Sequence, residues 1–156
     1  MDIKICNIND LDKLVPLFDD YRQHFKQASD QAAVKEYLQA RISSNEAMIY
    51  LAQSQDQLHG FVILYPSFSS IGLAPIWILN DFYLKSGANK RLMAKQLLDR
   101  LSQDCREAGA IRIEVTTRKE NHKLHKLYKE YGFEKDYKYD YYFLQISKAA
   151  ASNMLK

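Results

Sequence analysis

Residues 75–84 read Pro75-Ile76-Trp77-Ile78-Leu79-Asn80-Asp81-Phe82-Tyr83-Leu84, and the chain then breaks at Lys85-Ser86-Gly87-Ala88-Asn89 before Lys90-Arg91-Leu92-Met93-Ala94-Lys95. The first stretch is rich in Ile, Trp, Phe and Tyr at strand length, and it predicts a strand. The last opens a long helix whose buried stripe is Ala94, Leu97, Leu98, Leu101, Cys105 and Ala108, with Gly109 at its stop. Ile111, Ile113 and Val115 then alternate with Arg112 and Glu114, which predicts a half-exposed strand. Strand, break, helix and strand over residues 76–116 make a βαβ unit with a parallel pair of strands at its centre.

The flanks extend this unit on both sides. Residues 3–6 form a first strand, with Asn7 or Asn9 placed to cap the helix after it. Leu11, Leu14, Val15, Phe18, Tyr21 and Phe25 mark one face of that helix, and Asp30 opens a shorter helix carrying Val34, Tyr37, Leu38 and Ile42 inward. Residues 47–52 and 60–65 are apolar runs of strand length joined by a polar hairpin segment, and residues 66–70 read as loop. Residues 121–131 form a helix with Leu124, Leu127, Tyr128 and Tyr131 on one side, ended by Gly132. Residues 133–146 are aromatic and β-prone, predicting two more strands around residues 136–139, and residues 147–156 carry no periodic pattern. The resulting order, β-αα-βββ-α-β-α-ββ, is an α+β fold: a mixed, mostly antiparallel sheet of about seven strands covered by helices on both faces.

Composition excludes several classes. At 156 residues, with 47% hydrophobic and 26% charged residues, the chain has the size and apolar content of one folded domain. No apolar stretch reaches the ~18 residues of a membrane span, and the first residues lack the zones of a signal peptide, so the expected location is the cytoplasm, away from membranes. Cys6 and Cys105 are far apart and form no disulfide framework or CxxC pair. The formal charge of +3 is too small for a dedicated nucleic-acid binder.

The junction at residues 84–94 carries the clearest chemical signal. A helix start leaves backbone N–H groups unpaired and partially positive. Lys85, Lys90, Arg91 and Lys95 crowd that same end, which is unfavourable unless an anion sits between them. A phosphate or pyrophosphate site and a solvated basic turn both answer to this pattern. Nucleophile chemistry has little support: Cys105 lies on the apolar stripe, Cys6 has no neighbouring His, and Ser69-Ser70 lacks a GxSxG elbow. His122 and His125 stand i, i+3 without companion ligands, so no metal site is expected. Tyr128 is either a core phenol with a satisfied hydroxyl or a functional acid.

Taken in order, these residues resemble the GNAT N-acetyltransferases. Asn89-Lys90-Arg91-Leu92-Met93-Ala94 occupies the place of that family's Arg/Gln-x-x-Gly-x-Gly/Ala acetyl-CoA loop. Asn121 through Tyr128 to Gly132-Phe133 is similar to its Asn-x6-Tyr-x3-Gly-Phe segment. Tyr65-Pro66-Ser67-Phe68-Ser69-Ser70 and Trp77-Ile78-Leu79-Asn80-Asp81-Phe82-Tyr83 resemble a bacterial subgroup related in pattern to diamine acetyltransferases. Two departures stand out: Asn89 replaces Arg/Gln, and Leu92 replaces a Gly that lets the cofactor phosphate approach the backbone. Leu92 bears on cofactor affinity rather than on the fold, since helical φ is open to any L-residue.

The resemblance covers residues 3–146 and implies a single GNAT-like domain over residues 1–146 with a tail at 147–156. It implies acetyl-CoA as cosubstrate, no metal, and a small-molecule or peptide amine as acceptor. The cofactor-binding residues it implies are Phe82, Tyr83, Leu84, Asn89, Lys90, Arg91, Leu92, Met93, Ala94, Lys95, Asn121 and Tyr128. Phe82 and Leu84 offer backbone groups to the acetyl and pantetheine portions, the amides of residues 90–95 cradle the pyrophosphate, and Asn121 bonds the pantetheine arm. In catalysis Tyr128 is the acid for the departing thiolate, while Asp81 deprotonates the amine through water with Asn80 orienting it. Without an activated Cys, direct attack in a ternary complex is expected. Homodimerisation is expected from the family and from the aromatic C-terminal strands. The alternatives are a non-catalytic acyl-CoA-binding module, suggested by the altered loop, and a nucleic-acid binder using the basic junction and the tyrosines.

Overall fold

The computed structural model describes residues 2–87 and 89–147. Ala88 in the break and residues 148–156 of the expected tail lie outside them. Strand β1 (Asp2–Ile5) is followed by a single 3-10 turn and helix α1 (Leu11–His24), then α2 (Gln31–Ser43). Strands β2 (Met48–Ser54), β3 (Gln57–Ser69) and β4 (Ala74–Leu84) follow, then α3 (Lys90–Glu107), β5 (Ile113–Val115) and α4 (His122–Tyr131).

The strands form one sheet in the order β1-β2-β3-β4-β5, antiparallel throughout except for the parallel β4–β5 pair. Both faces are covered, and the period-two geometry of the central strands explains how. Ile49, Leu51, Phe61 and Ile63 pack with Leu14, Phe18, Tyr21, Val34 and Leu38 of α1 and α2. Their neighbours Tyr50, Ala52, Val62 and Leu64 point the other way, onto Met93, Leu97, Leu98 and Leu101 of α3. Strands buried on both faces read as continuous apolar runs, which is why residues 47–52 and 60–65 look uniformly hydrophobic.

Opposite β3 the ladder of β4 slips by one residue. Ile63 lies across from Asp81 and Leu64 across from Leu79, so the register steps over Asn80. A bulge of this kind reverses the alternation beyond it. Leu79 and Phe82, three residues apart, therefore both pack on the α3 face, while Asp81 and Tyr83 turn toward α1.

Four sequence expectations are corrected by the fold. The sheet has five strands among the described residues rather than about seven, because residues 134–147 adopt neither strand nor helix. That run has strand chemistry, but a strand exists only where its backbone groups are paired, and no described residue pairs with it. The second correction concerns residues 66–69, read as loop, which continue β3 to Ser69. β2 stops opposite Leu64, so at Pro66 strand β3 has β4 alone as neighbour, and a missing N–H is tolerated on such an edge. Third, Tyr37, expected inward, is exposed, lying flat on Phe18 with its hydroxyl on that of Tyr65 at 2.5 Å. Fourth, Ala108, expected on the buried stripe of α3, is exposed at the end of that helix. Asp19 of α1 is a buried acid, 1% exposed.

Asp19 clasps the α1–α2 connection. Its carboxylate accepts from the Ser29 hydroxyl at 2.6 Å, the Asp30 amide at 3.0 Å and Gln23 Nε2 at 3.2 Å. The Ser29 and Asp30 hydrogen bonds hold its carboxyl below the ordinary carboxylate range. The unfolded chain therefore binds this proton more readily, and the clasp's stabilisation is present above pH ~4 and lost as pH falls through the folded value. Asp19→Asn is expected to be less stable than the wild type at neutral pH and to show a flatter acid limb in urea unfolding followed from pH 7 to pH 3.

At Gly60 the sheet is too tight for a side chain. A Cβ there would collide with Leu84 Cδ2 and stand 2.5 Å from the Tyr83 carbonyl oxygen. Gly60→Ala is expected to cost about 1–3 kcal/mol, read as a lower urea midpoint at unchanged m-value.

Candidate active site

The parallel pairing of β4 and β5 lasts only from Trp77–Ile113 to Leu79–Val115. Past that point the two chains part, and a cleft of about 640 Å³ opens between them. Its floor is β4 from Leu79 to Leu84 without Asp81; one wall is Lys90, Arg91 and Ala94 of α3. The opposite wall is Val115 to Arg118 with Asn121, Leu124, Leu127 and Tyr128, and Tyr21, His24 and Phe25 of α1 close the far end. Ligands of open sheets with parallel strands bind in such crevices, at the carboxyl ends of strands that diverge.

Main-chain groups face this cleft for a reason set by the ladder. The Lys85 amide donates to the His59 carbonyl at 2.8 Å, so with the antiparallel alternation residues 83 and 81 also direct their main chain at β3. Phe82 and Leu84 direct theirs to the other side, where β5 has diverged.

The start of α3 supplies positive potential. Asn89 enters the helix in the left-handed region, φ 70°, with no side-chain cap hydrogen bond and no acid in the first turn. Among the described residues the amides of residues 90–92 therefore have no intrahelical or capping partner, whereas α2 and α4 are capped by the side chains of Asp30 and Asn121. Lys90 and Arg91 add two cations beside them. Arg91 reaches across the mouth to Glu130 of α4 at 3.0 Å; as an exposed pair it is weak, and Arg91 can turn to an anion at little cost. These donors suit a pyrophosphate.

At the inner end two phenols and a carboxylate come together. Tyr128 is buried, 6% exposed, edge-on to Phe82 and against Phe133. Among the described residues none hydrogen-bonds its hydroxyl, and burial alone holds its pKa above that of an ordinary phenol. Tyr21 is shifted the same way, mainly by burial and further by the nearby Tyr128 and Tyr65 phenols. The Tyr21 hydroxyl donates to Asp81 Oδ1 at 2.9 Å, and Asn80 Nδ2 donates to Asp81 Oδ2 at 2.9 Å. Burial pushes the Cys6 thiol up to about 12 and Cys105 up to about 11, so neither is a nucleophile near neutral pH.

Of the residues singled out from the sequence, Asn80, Phe82, Tyr83, Leu84, Lys90, Arg91, Ala94, Asn121 and Tyr128 line the cleft. Asp81, 2% exposed, lies behind it and meets it through Tyr21 and Asn80. Asn89 sets the helix start, Met93 is in the core, Lys95 is paired with Asp99, and Leu92 is 54% exposed and outside the lining. Asn121 uses Oδ1 to cap the Leu124 amide at 3.2 Å, leaving its Nδ2 donor for a ligand. Sequence reasoning missed Tyr21, His24, Phe25 and residues 116–118. One signal was available for Tyr21: a hydroxyl inside an apolar helical stripe needs a polar partner elsewhere in the fold.

This architecture is that of a known family. Residues 11–133 match the model of the Acetyltransferase (GNAT) family, and the chain belongs to that family. It is 32% identical over 146 residues to the uncharacterized N-acetyltransferase YhfO of Bacillus subtilis strain 168, covering 94% of this chain and 98% of that one. A crystal structure of a probable acetyltransferase superposes with a TM-score of 0.89 at 38% identity, over 94% of this chain and 99% of that one. The fold is shared at 18% identity, TM-score 0.77, with an aminoglycoside acetyltransferase from an uncultured soil metagenomic sample in complex with sisomicin, over 92% of this chain and 96% of that one. Acetyl transfer is the chemistry of the family, with acetyl-CoA as its cosubstrate. Among the described residues there is no cluster that could hold a metal ion, and no helix long and apolar enough to cross a membrane.

Ala94, a small residue on the cleft wall, provides a direct test of where the cofactor lies. Ala94→Phe places a ring in the cleft beside the α3 amides and is expected to weaken acetyl-CoA binding at least ~10-fold, about 1.4 kcal/mol, by calorimetry.

Proposed function

We propose that the protein is an acetyl-CoA-dependent N-acetyltransferase that acetylates a primary amine of a small molecule or peptide by direct attack in a ternary complex. The observation that carries this reading is one cleft with an uncapped, cation-flanked helix start at one end and the buried Tyr128 phenol at the other. The residues fit the cosubstrate. The amides of residues 90–92 with Lys90 and Arg91 would hold the pyrophosphate, the Phe82 and Leu84 main chain and Asn121 Nδ2 the pantetheine arm. Acetyl-CoA supplies an activated acyl group.

The chain's own residues then manage charge and protons. The Phe82 amide region is the donor for the oxyanion that develops on the acetyl oxygen. Tyr128, kept protonated by burial, gives its proton to the departing thiolate. An amine titrates near ~10 and must lose a proton before attack. Tyr21 accepts that proton as its own passes to Asp81, so the carboxylate expected to act through water acts through a phenol. The amine enters from the α1 side, between His24, Phe25 and Tyr83.

Leu92, one of the two departures in the altered loop that suggested a non-catalytic binding module, stands outside the cleft lining. The test is thiol release with a panel of polyamines, amino acids, aminoglycosides and peptide amines, beside calorimetry with acetyl-CoA. Tyr128→Phe is expected to lower turnover by about 10²–10⁴-fold with little change in acetyl-CoA affinity. Near-normal turnover by that variant removes Tyr128 as the acid; binding without thiol release for any amine removes catalysis.

A further inference from the structure

The cleft is cationic along its length. Among the described residues its lining carries Lys90, Arg91, Arg118, Lys123 and Lys126 against one acid, Glu130. Glu130 stands at the mouth on the cofactor side, 3.0 Å from Arg91 and 3.9 Å from Lys126. At the α1 end, where the amine enters, no described acid belongs to the lining. Asp81 is buried behind it with its carboxylate on Tyr21 and Asn80. Asp20, which adds to the effect of burial in raising the Tyr83 phenol, is outside the lining. The several ammonium groups of a polyamine or an aminoglycoside would meet like charge here.

Arg118 is the cation on the amine's side. Its guanidinium lies over the Phe25 ring, 5.5 Å from the centroid, and the Tyr21 ring meets the same Phe25 edge-on at 5.1 Å. The guanidinium and the phenol assigned to take the amine's proton thus flank one ring. The turn into α4 holds Arg118 in place: its carbonyl accepts from the Asn121 amide and from His125 Nε2, both at 3.0 Å. With a cation already over it, Phe25 does not serve as an aromatic seat for an ammonium group. A guanidinium stacked on a ring keeps its N–H donors in its own plane, where a carboxylate is met bidentately. One guanidinium matches the single charge and two oxygens of a carboxylate.

We propose that the acceptor is a primary amine that also carries a carboxylate, the chemistry of a free amino acid, and, resting on the acetyl-transfer reading above, that Arg118 selects it by pairing with that carboxylate while the amine lies toward Tyr21. The surrounding cations also favour the neutral, attacking form of the amine. In the transfer the amine nitrogen bonds the acetyl carbon as the carbon–sulfur bond breaks. The nitrogen gives up one proton and the thiolate gains one, so the products are an N-acetyl amino acid and CoA, with the carboxylate unchanged.

Thiol release is measured with matched pairs, free amino acids against their C-terminal amides, beside spermidine, an aminoglycoside and phosphoethanolamine. The best amino acid is expected to exceed its amide at least ~10-fold in kcat/KM, the effect of one hydrogen-bonded charge pair, with the difference in KM. Arg118→Gln is expected to abolish that preference, and Arg118→Lys, which keeps the charge, to retain part of it. Calorimetry in the presence of CoA, with an N-acetyl amino acid against its amide, is expected to show the same preference without turnover. Equal use of acid and amide overturns the proposal and leaves acetyl transfer in place. So does a preference that survives Arg118→Gln, or a polyamine, aminoglycoside or phosphoethanolamine as the best acceptor. Absence of thiol release with every amine removes the transfer reading. Calorimetry then decides on Arg118 alone: a carboxylate preference lost in Arg118→Gln supports its role, and equal binding overturns it.

Discussion

Everything in the site depends on the parting of two parallel strands. β4 and β5 stay bonded for three residue pairs and then separate, exposing the main chain of Phe82 and Leu84 that a longer ladder would have consumed. The bulge at Asn80 works with that separation. It turns Phe82 onto the cleft side and swings Asp81 and Tyr83 toward α1. Without the one-residue slip, the carboxylate and the aromatic ring would exchange faces, and Tyr21 would have no acceptor. One inserted residue thus sets the Phe82 ring on the α3 face of the strand and the Asp81 carboxylate, with its Tyr21 partner, on the α1 face.

The second layer of organisation is electrostatic. A helix start without a cap, next to Lys90 and Arg91, is a locally unfavourable arrangement that the fold tolerates because α3 is anchored by a fully buried apolar stripe. Stability comes from Leu97, Leu98 and Leu101, and the first turn is left free for an anion. The opposite end of the cleft has the reverse character. Tyr21 and Tyr128 sit in a desolvated pocket where ionising a phenol is costly, so both retain protons that chemistry can move.

Much of this was legible in the residues. The apolar periods of α1, α3 and α4 located the helices, and the strand–helix–strand order of residues 76–116 identified the parallel pair. The spacing from Asn121 to Tyr128 placed both on the wall of one cleft. Tertiary context supplied what local pattern lacks. Asp19 and Asp81 are indistinguishable in sequence from solvated acids, and only the packing of α1 on the sheet shows them buried. The strand at residues 66–69 was hidden by Pro66, which ordinarily argues against a strand; that β2 ends short of it is a long-range fact. The aromatic C-terminal run had the composition of a strand, but composition cannot say which backbone will pair with it.

Pro66 has a wider consequence. The β3–β4 hairpin outruns β2, so the far half of β3 presents a bare edge, and the hairpin tip carries exposed Phe68, Ile71 and Leu73. A bare edge beside apolar side chains invites uncontrolled stacking of one molecule on another. The proline ring interrupts the row of donors on that edge, and the chain has thereby been guarded against adding strands there. This edge is closed to growth by a single missing hydrogen, on a residue that touches neither the cleft nor its chemistry.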